Sequence, residues 1–158
     1  MTNMKFYRII ILLTVFSCII AGCSDDMESS IPDVPKFRVE CDMRQAAYSS
    51  LNAPGQFVMV EKNSHGYKLG YAGLIVGQSA FPGFNNEKVF LAFDRACPVE
   101  SNSNVAVDLV NDAVGTAICP KCKTEYDLNN GGAPKGVGKE YLRKYSVVVR
   151  GDIIIVSN

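Results

Sequence analysis

The sequence predicts an all-β fold, a multi-sheet antiparallel sandwich or barrel, on three observations. In "KFRVECDM" (36–43), Phe37, Val39, Cys41 and Met43 alternate with Lys36, Arg38, Glu40 and Asp42. That period of two belongs to a strand with one buried face. The chain closes on "YSVVV" and "IIIVS", two β-branched runs separated only by Arg150-Gly151-Asp152. Between these ends, short apolar runs alternate with turn residues, and no convincing amphipathic helix interrupts them.

The elements follow in order. After the first strand, "NAPG" (52–55) is a turn and "QFVMVEK" (56–62) a strand. "NSHG" (63–66) reads as a hairpin tip, which leaves His65, the single histidine, in solvent. Gly70 and Gly73 bracket the approach to "LIV" (74–76), which continues as a strand. "FPGFNN" (81–86) is a loop, and "EKVFLAFDRA" (87–96) is a strong strand running into Cys97. Residues 98–104 are polar and turn-like; "VAVDLV" (105–110) is a short strand and "NDAVG" (111–115) a turn. "TAI" (116–118) then delivers the chain to Cys119, and "NNGGAPKGVG" (129–138) is a Gly-rich loop. In the closing hairpin, Gly151 and Asp152 tolerate the positive φ of a tight turn. That explains Arg-Gly-Asp more simply than a cell-adhesion role.

The chain has 158 residues, the size of one domain. Its 16 basic and 16 acidic side chains balance, and no Lys/Arg stripe offers a surface to nucleic acid. At the N-terminus, Lys5 and Arg8 precede the apolar stretch "IIILLTVFSCIIAG" (9–22), short for a membrane span. The ending "IIAGC" resembles the lipobox of bacterial lipoproteins, with Cys23 lipidated as the first mature residue. The expected organisation is a signal peptide (1–22), a lipidated flexible tether (23–35) and a β domain (36–158). Ser24 after the lipidated cysteine resembles outer-membrane sorting. The acidic run Asp25, Asp26 and Glu28 resembles a surface-export signal. The expected location is therefore the outer membrane, surface-exposed or else facing the periplasm, and the expected partner of Cys23 is the membrane.

Six cysteines are present. Cys18 leaves with the signal peptide and Cys23 carries lipid, so Cys41, Cys97, Cys119 and Cys122 remain for an oxidising compartment. Cys41 lies on an apolar strand face and reads as a core thiol. "FDRACPVE" and "AICPKCKTEYD" are two Cys-Pro loops, each entered from a strand. Pro98 and Pro120 stiffen them and remove a backbone N–H. Loops of this kind can present their thiols to one inorganic centre.

These residues resemble the Rieske iron–sulfur family, whose first loop carries Cys-x-His and whose second carries Cys-x-x-His. Cys97-Pro98-Val99 matches the first, with Val99 in the histidine's place. Cys119-Pro120-Lys121-Cys122 matches the second, with Cys122 in the histidine's place. Tyr126-Asp127 matches the aromatic–Asp pair that follows, "GAPKGVG" the covering loop, and "YLRKYSVVVRGDIIIVSN" the closing hairpin. The resemblance spans about residues 54–158 and implies a Rieske-like β fold. It also implies a [2Fe–2S] cluster, but both histidines are missing. The family's extra loop–loop disulfide has no counterpart, because Asn102 and Lys121 stand at its positions.

Four outcomes stay open from the residues. The first is a [2Fe–2S] cluster on Cys97, Cys119, Cys122 and a fourth ligand, Glu100 being nearest in sequence, at a potential below that of a Rieske centre. The second is zinc on the three thiolates with Glu100, water or Cys41. The third is a Cys119–Cys122 or Cys97–Cys122 disulfide, and the fourth a site without metal. The matching functions are single-electron transfer with an unnamed redox partner, or a surface binding or structural module. An enzyme is disfavoured, since His65 alone supplies no catalytic set.

Overall fold

The computed structural model describes residues 29–158. The signal peptide, Cys23 and the acidic run Asp25, Asp26 and Glu28 lie outside the described residues. The domain is all-β, built from three antiparallel sheets. The first sheet joins β1 (Arg38–Asp42), β10 (Ile153–Ser157) and β9 (Ser146–Arg150), with β10 central. The second joins β2 (Phe57–Val60), β3 (Leu74–Gln78) and β4 (Phe90–Asp94), with β3 central. The third runs β5 (Asp108–Leu109), β6 (Thr116–Ile118), β7 (Glu125–Asp127) and β8 (Ala133–Lys135). Among the described residues the only helical segments are short 3-10 turns.

The second sheet is the middle layer. Along β3, Leu74 and Val76 point into a core shared with Val39, Cys41, Ile154 and Val156 of the first sheet. Ile75 points the other way, into a core with Ala117 and Tyr126 of the third. Alternate side chains leave opposite faces of a strand, so a strand between two cores needs apolar residues at every position. This is why "LIV" does not alternate while "KFRVECDM", on an outer layer, does. β4 obeys the same rule, sending Ala92 one way and Leu91 and Phe93 the other.

Three expectations change. The Gly-rich stretch 129–138 contains a 3-10 turn and then β8, which pairs with β7 from Ala133↔Asp127 to Lys135↔Glu125. Pro134 lowers strand propensity, but β8 is an edge strand, where a missing N–H does least harm. In the closing hairpin, Arg150 pairs with Ile153 across a two-residue turn. Only Gly151 adopts positive φ (58°) there, so Asp152 is not needed for that role.

The third change concerns residues 29–35, expected as part of the flexible tether. They are a strap laid on the domain. Ile31 is buried against Ala72 and Ala96. Arg143 donates to the Ile31 carbonyl at 2.8 Å and pairs with Asp33 at 2.5 Å. Asn158 Nδ2 donates to the Val34 carbonyl at 3.0 Å. Burying one isoleucine is worth about 1.5–3 kcal/mol, which with these hydrogen bonds offsets part of the entropy of ordering a segment whose composition is otherwise linker-like.

Candidate metal centre

Both Cys-Pro loops leave the C-terminal ends of strands. β4 hands the chain to Cys97 and β6 hands it to Cys119, so two different sheets supply the two loops. Asp94, fully buried, fixes the approach to the first. Its carboxylate accepts from Tyr71 N (2.5 Å), Ala72 N (3.0 Å), Ala96 N (2.8 Å) and the Tyr145 hydroxyl (2.7 Å). Four donors on one carboxylate satisfy the charge where water is excluded. Arg95 ties the same segment to the returning chain. It donates to the Val107 carbonyl (3.2 Å) and pairs with Glu61 (2.8 Å) and Asp108 (3.0 Å). The sequence did carry a sign of Asp94. In "FLAFDRA" it occupies a buried-face position of a strong strand, where a carboxylate must have dedicated donors.

The second loop is a tight knuckle. Cys119 N–H donates to the Thr124 carbonyl at 2.9 Å, and Lys123 N–H donates back to the Cys119 carbonyl at 3.0 Å. Lys123 adopts φ of 59°, a left-handed conformation unusual outside glycine. The covering loop passes close above both turns. A Cβ on Gly138 would stand 2.7 Å from Thr124 Cγ2 and 3.2 Å from Val99 Cγ2, so no larger residue fits there without a shift.

The loops bring three thiols together. The sulfurs of Cys97, Cys119 and Cys122 all lie within 4.8 Å of one another, with Cys97 Sγ 3.6 Å from Cys122 Sγ. All three thiols are free, as is Cys41. A Cys97–Cys122 disulfide would need its sulfurs drawn in to about 2.05 Å. Cys97 and Cys119 are buried and Cys122 is half-buried. Tyr126, fully buried on β7, sets its hydroxyl 3.4 Å from Cys97 Sγ, while Thr124 Oγ1 lies 3.3 Å from Cys122 Sγ.

Burial pushes the Cys97 thiol up to about 11, although the Tyr126 hydroxyl works against the shift. Burial also acts to raise Cys122, but hydrogen bonds with Thr124, Cys119 and Cys97 together outweigh it and leave that thiol below the ordinary range. Cys122 is therefore more readily a thiolate than Cys97.

Two expected participants stand apart. Cys41 is buried in the other core, between the first and second sheets, and among the described residues belongs to no such group. Glu100 lies outside the 4.8 Å cluster, and its carboxylate is paired with Lys121 of the second loop. His65 is exposed at the hairpin tip, where Asn63 N–H donates to the Tyr67 carbonyl at 2.9 Å.

No family model matches the sequence, and no curated protein matches it either. Similar solved structures exist at low identity. A chain from a complex of reduced oxygenase and oxidized ferredoxin in carbazole 1,9a-dioxygenase is 17% identical, with a TM-score of 0.43, over 77% of this chain and 92% of that one. The ferredoxin of carbazole 1,9a-dioxygenase from Nocardioides aromaticivorans IC177 is 18% identical, with a TM-score of 0.40, over 68% and 90%. A nitrite reductase NADPH small-subunit protein is 14% identical, with a TM-score of 0.41, over 78% and 98%.

Proposed function

We propose that this chain is a lipid-tethered, Rieske-like β domain whose two Cys-Pro loops hold a metal on Cys97, Cys119 and Cys122. It serves as a metal-bearing module of the cell envelope and not as an enzyme. The observation that carries this reading is the convergence of three sulfurs, from loops of two different sheets, within 4.8 Å. Two thiolates on one tetrahedral ion, each about 2.3 Å from it, stand about 3.8 Å apart. The thiols thus gather as donors around one point.

The two-iron cluster implied by the Rieske resemblance fits this donor set poorly. Such a cluster takes two ligands at each iron, and its four donors stand in pairs at opposite ends. Here all three sulfurs gather at one place, Val99 has no donor atom, and His65 is exposed on its hairpin. A single thiophilic ion of the zinc class suits the site better, and it would tie the middle sheet to the third. One-electron transfer to an unnamed redox partner is the second reading. It is favoured by the centre's place near the surface, where Val99 is 44% exposed and Cys122 half-buried. It would need a redox-active ion such as iron.

The envelope part of the proposal rests on sequence. "IIAGC" supplies the lipobox, Cys23 the anchor to the outer membrane, Ser24 the sorting residue, and Asp25, Asp26 and Glu28 the surface signal. Metal analysis of the full chain, extracted anaerobically from membranes, tests the centre. The expected result is one zinc or iron ion per chain without acid-labile sulfide. Two irons with two sulfides would restore the cluster. A chain with no metal would end the metal-centre reading.

A further inference from the structure

We propose that Glu100 is the fourth ligand of a single-ion site made of three cysteines and one glutamate, and that Lys121 holds its carboxylate while the site is empty. This rests on the metal-centre reading above.

The argument is the internal likeness of the two loops. Each begins Cys-Pro. In each, the cysteine N–H donates across the loop, Cys97 to the Val105 carbonyl (3.2 Å) and Cys119 to the Thr124 carbonyl (2.9 Å). In each, the cysteine carbonyl accepts from the N–H four residues on, Ser101 (2.9 Å) in the first and Lys123 (3.0 Å) in the second. That fourth residue is left-handed in both, with φ of 45° at Ser101 and 59° at Lys123. Left-handed non-glycine residues are uncommon, so their recurrence at the same place marks one turn used twice.

The equivalence assigns a partner to each position. Cys122 stands three residues after Cys119, and Glu100 stands three residues after Cys97. In the second loop this position turns its side chain to the centre, with Cys122 Sγ 3.6 Å from Cys97 Sγ. The same turn in the first loop offers a carboxylate from the facing side. Glu100 is already mostly enclosed, its side chain 13% exposed, and it reaches across to the second loop to meet Lys121, which is 65% exposed. A half-buried carboxylate that pairs with an exposed lysine of the opposite metal loop is placed to exchange that partner for a cation held by the three thiols.

The chemistry is consistent. Zinc-class ions accept three thiolates and a carboxylate oxygen in tetrahedral geometry, with the oxygen at about 2.0–2.2 Å. Three thiolates and a carboxylate around a divalent ion leave a net negative centre, which the displaced Lys121 ammonium beside it partly offsets.

The test uses the full chain in detergent, stripped of metal under reducing conditions and reloaded with Zn(II) or Co(II). X-ray absorption should give three sulfur neighbours and one oxygen. Glu100→Gln should weaken zinc binding at least about tenfold, whereas Lys121→Ala should leave it unchanged or strengthen it. Glu100→Cys should give four sulfur neighbours and a stronger thiolate-to-Co(II) charge-transfer band. Equal losses in Glu100→Gln and Lys121→Ala would show a merely structural ion pair and overturn the proposal. So would a Glu100→Cys variant that keeps three sulfurs. A wild-type chain that takes up no ion at all would instead overturn the metal-centre reading itself.

Discussion

Cys41 and Cys119 are both fully buried, yet they occupy opposite kinds of site. Cys41 is mid-strand on β1, where the backbone is spent on the ladder to Ile154 and the sulfur meets the apolar side chains of the first core. Burial pushes its thiol up to about 11, and the Tyr48 hydroxyl offsets only part of that. Cys119 sits where a strand ends and the chain reverses, and its sulfur meets two other sulfurs. Burial alone therefore says little about what a cysteine does. The local backbone decides, because a ladder fixes a side chain among its packing neighbours while a reversal can aim it at another loop.

The largest expected effect that sharpens this contrast is on metal content. Cys119→Ser should lose most of the bound metal, measured as ions per chain. Cys41→Ser should keep the metal but lose about 1–3 kcal/mol of stability in denaturant unfolding, because a hydroxyl replaces a thiol in an apolar core. Loss of metal in Cys41→Ser would break the comparison.

A smaller effect concerns reactivity. In the metal-free protein, iodoacetamide near neutral pH should modify Cys122 before Cys97, since Cys122 is half-buried and its thiol is held below the ordinary range while burial raises Cys97. Cys41 should stay unmodified until the protein unfolds. Peptide mass mapping over time would show the order, and early labelling of Cys41 would contradict the raised thiol.

The smallest effect lies beside Cys41. Arg44 hydrogen-bonds the Asp42 carboxylate and holds it down at about 2, with contacts of 2.9 and 2.8 Å. The unfolded value is about 3.9. A depressed carboxylate contributes stability above its unfolded pKa and loses it as pH falls through the folded one. Asp42→Asn should therefore lower stability slightly at neutral pH and flatten the acid limb between about pH 4 and 2, so that the difference from the native protein vanishes at the acid end. Unfolding midpoints across that range would reveal it. The metal centre, on the far side of the middle sheet, should not respond.

The outer layers and the closing hairpin were legible in the sequence because their periodicity is local. The three thiols were legible as a group because Cys-Pro is a strong local signal placed after a strand. What stayed hidden depends on partners distant in sequence. β8 forms through its pairing with β7 despite Pro134 and four neighbouring glycines. Asp94 is explained only by donors from residues 71, 72, 96 and 145. The pairing of Glu100 with Lys121 spans 21 positions. The left-handed Ser101 and Lys123, which reveal the shared turn, carry no residue preference that would announce them.

The strap at residues 29–35 has a mechanical consequence. Ser30 Oγ donates to the carbonyl of Pro98 at 3.2 Å, inside the first Cys-Pro loop. With lipid on Cys23, five residues separate the anchor from Ser29, six steps of chain with a reach of at most about 21 Å. The domain would hang from the membrane by the same corner that carries its thiols. A pull on the anchor would load the Ile31 plug and the Arg143–Asp33 clasp before it reached any strand. The strap would act as a strain relief, and the cysteine end would be the end held nearest the lipid.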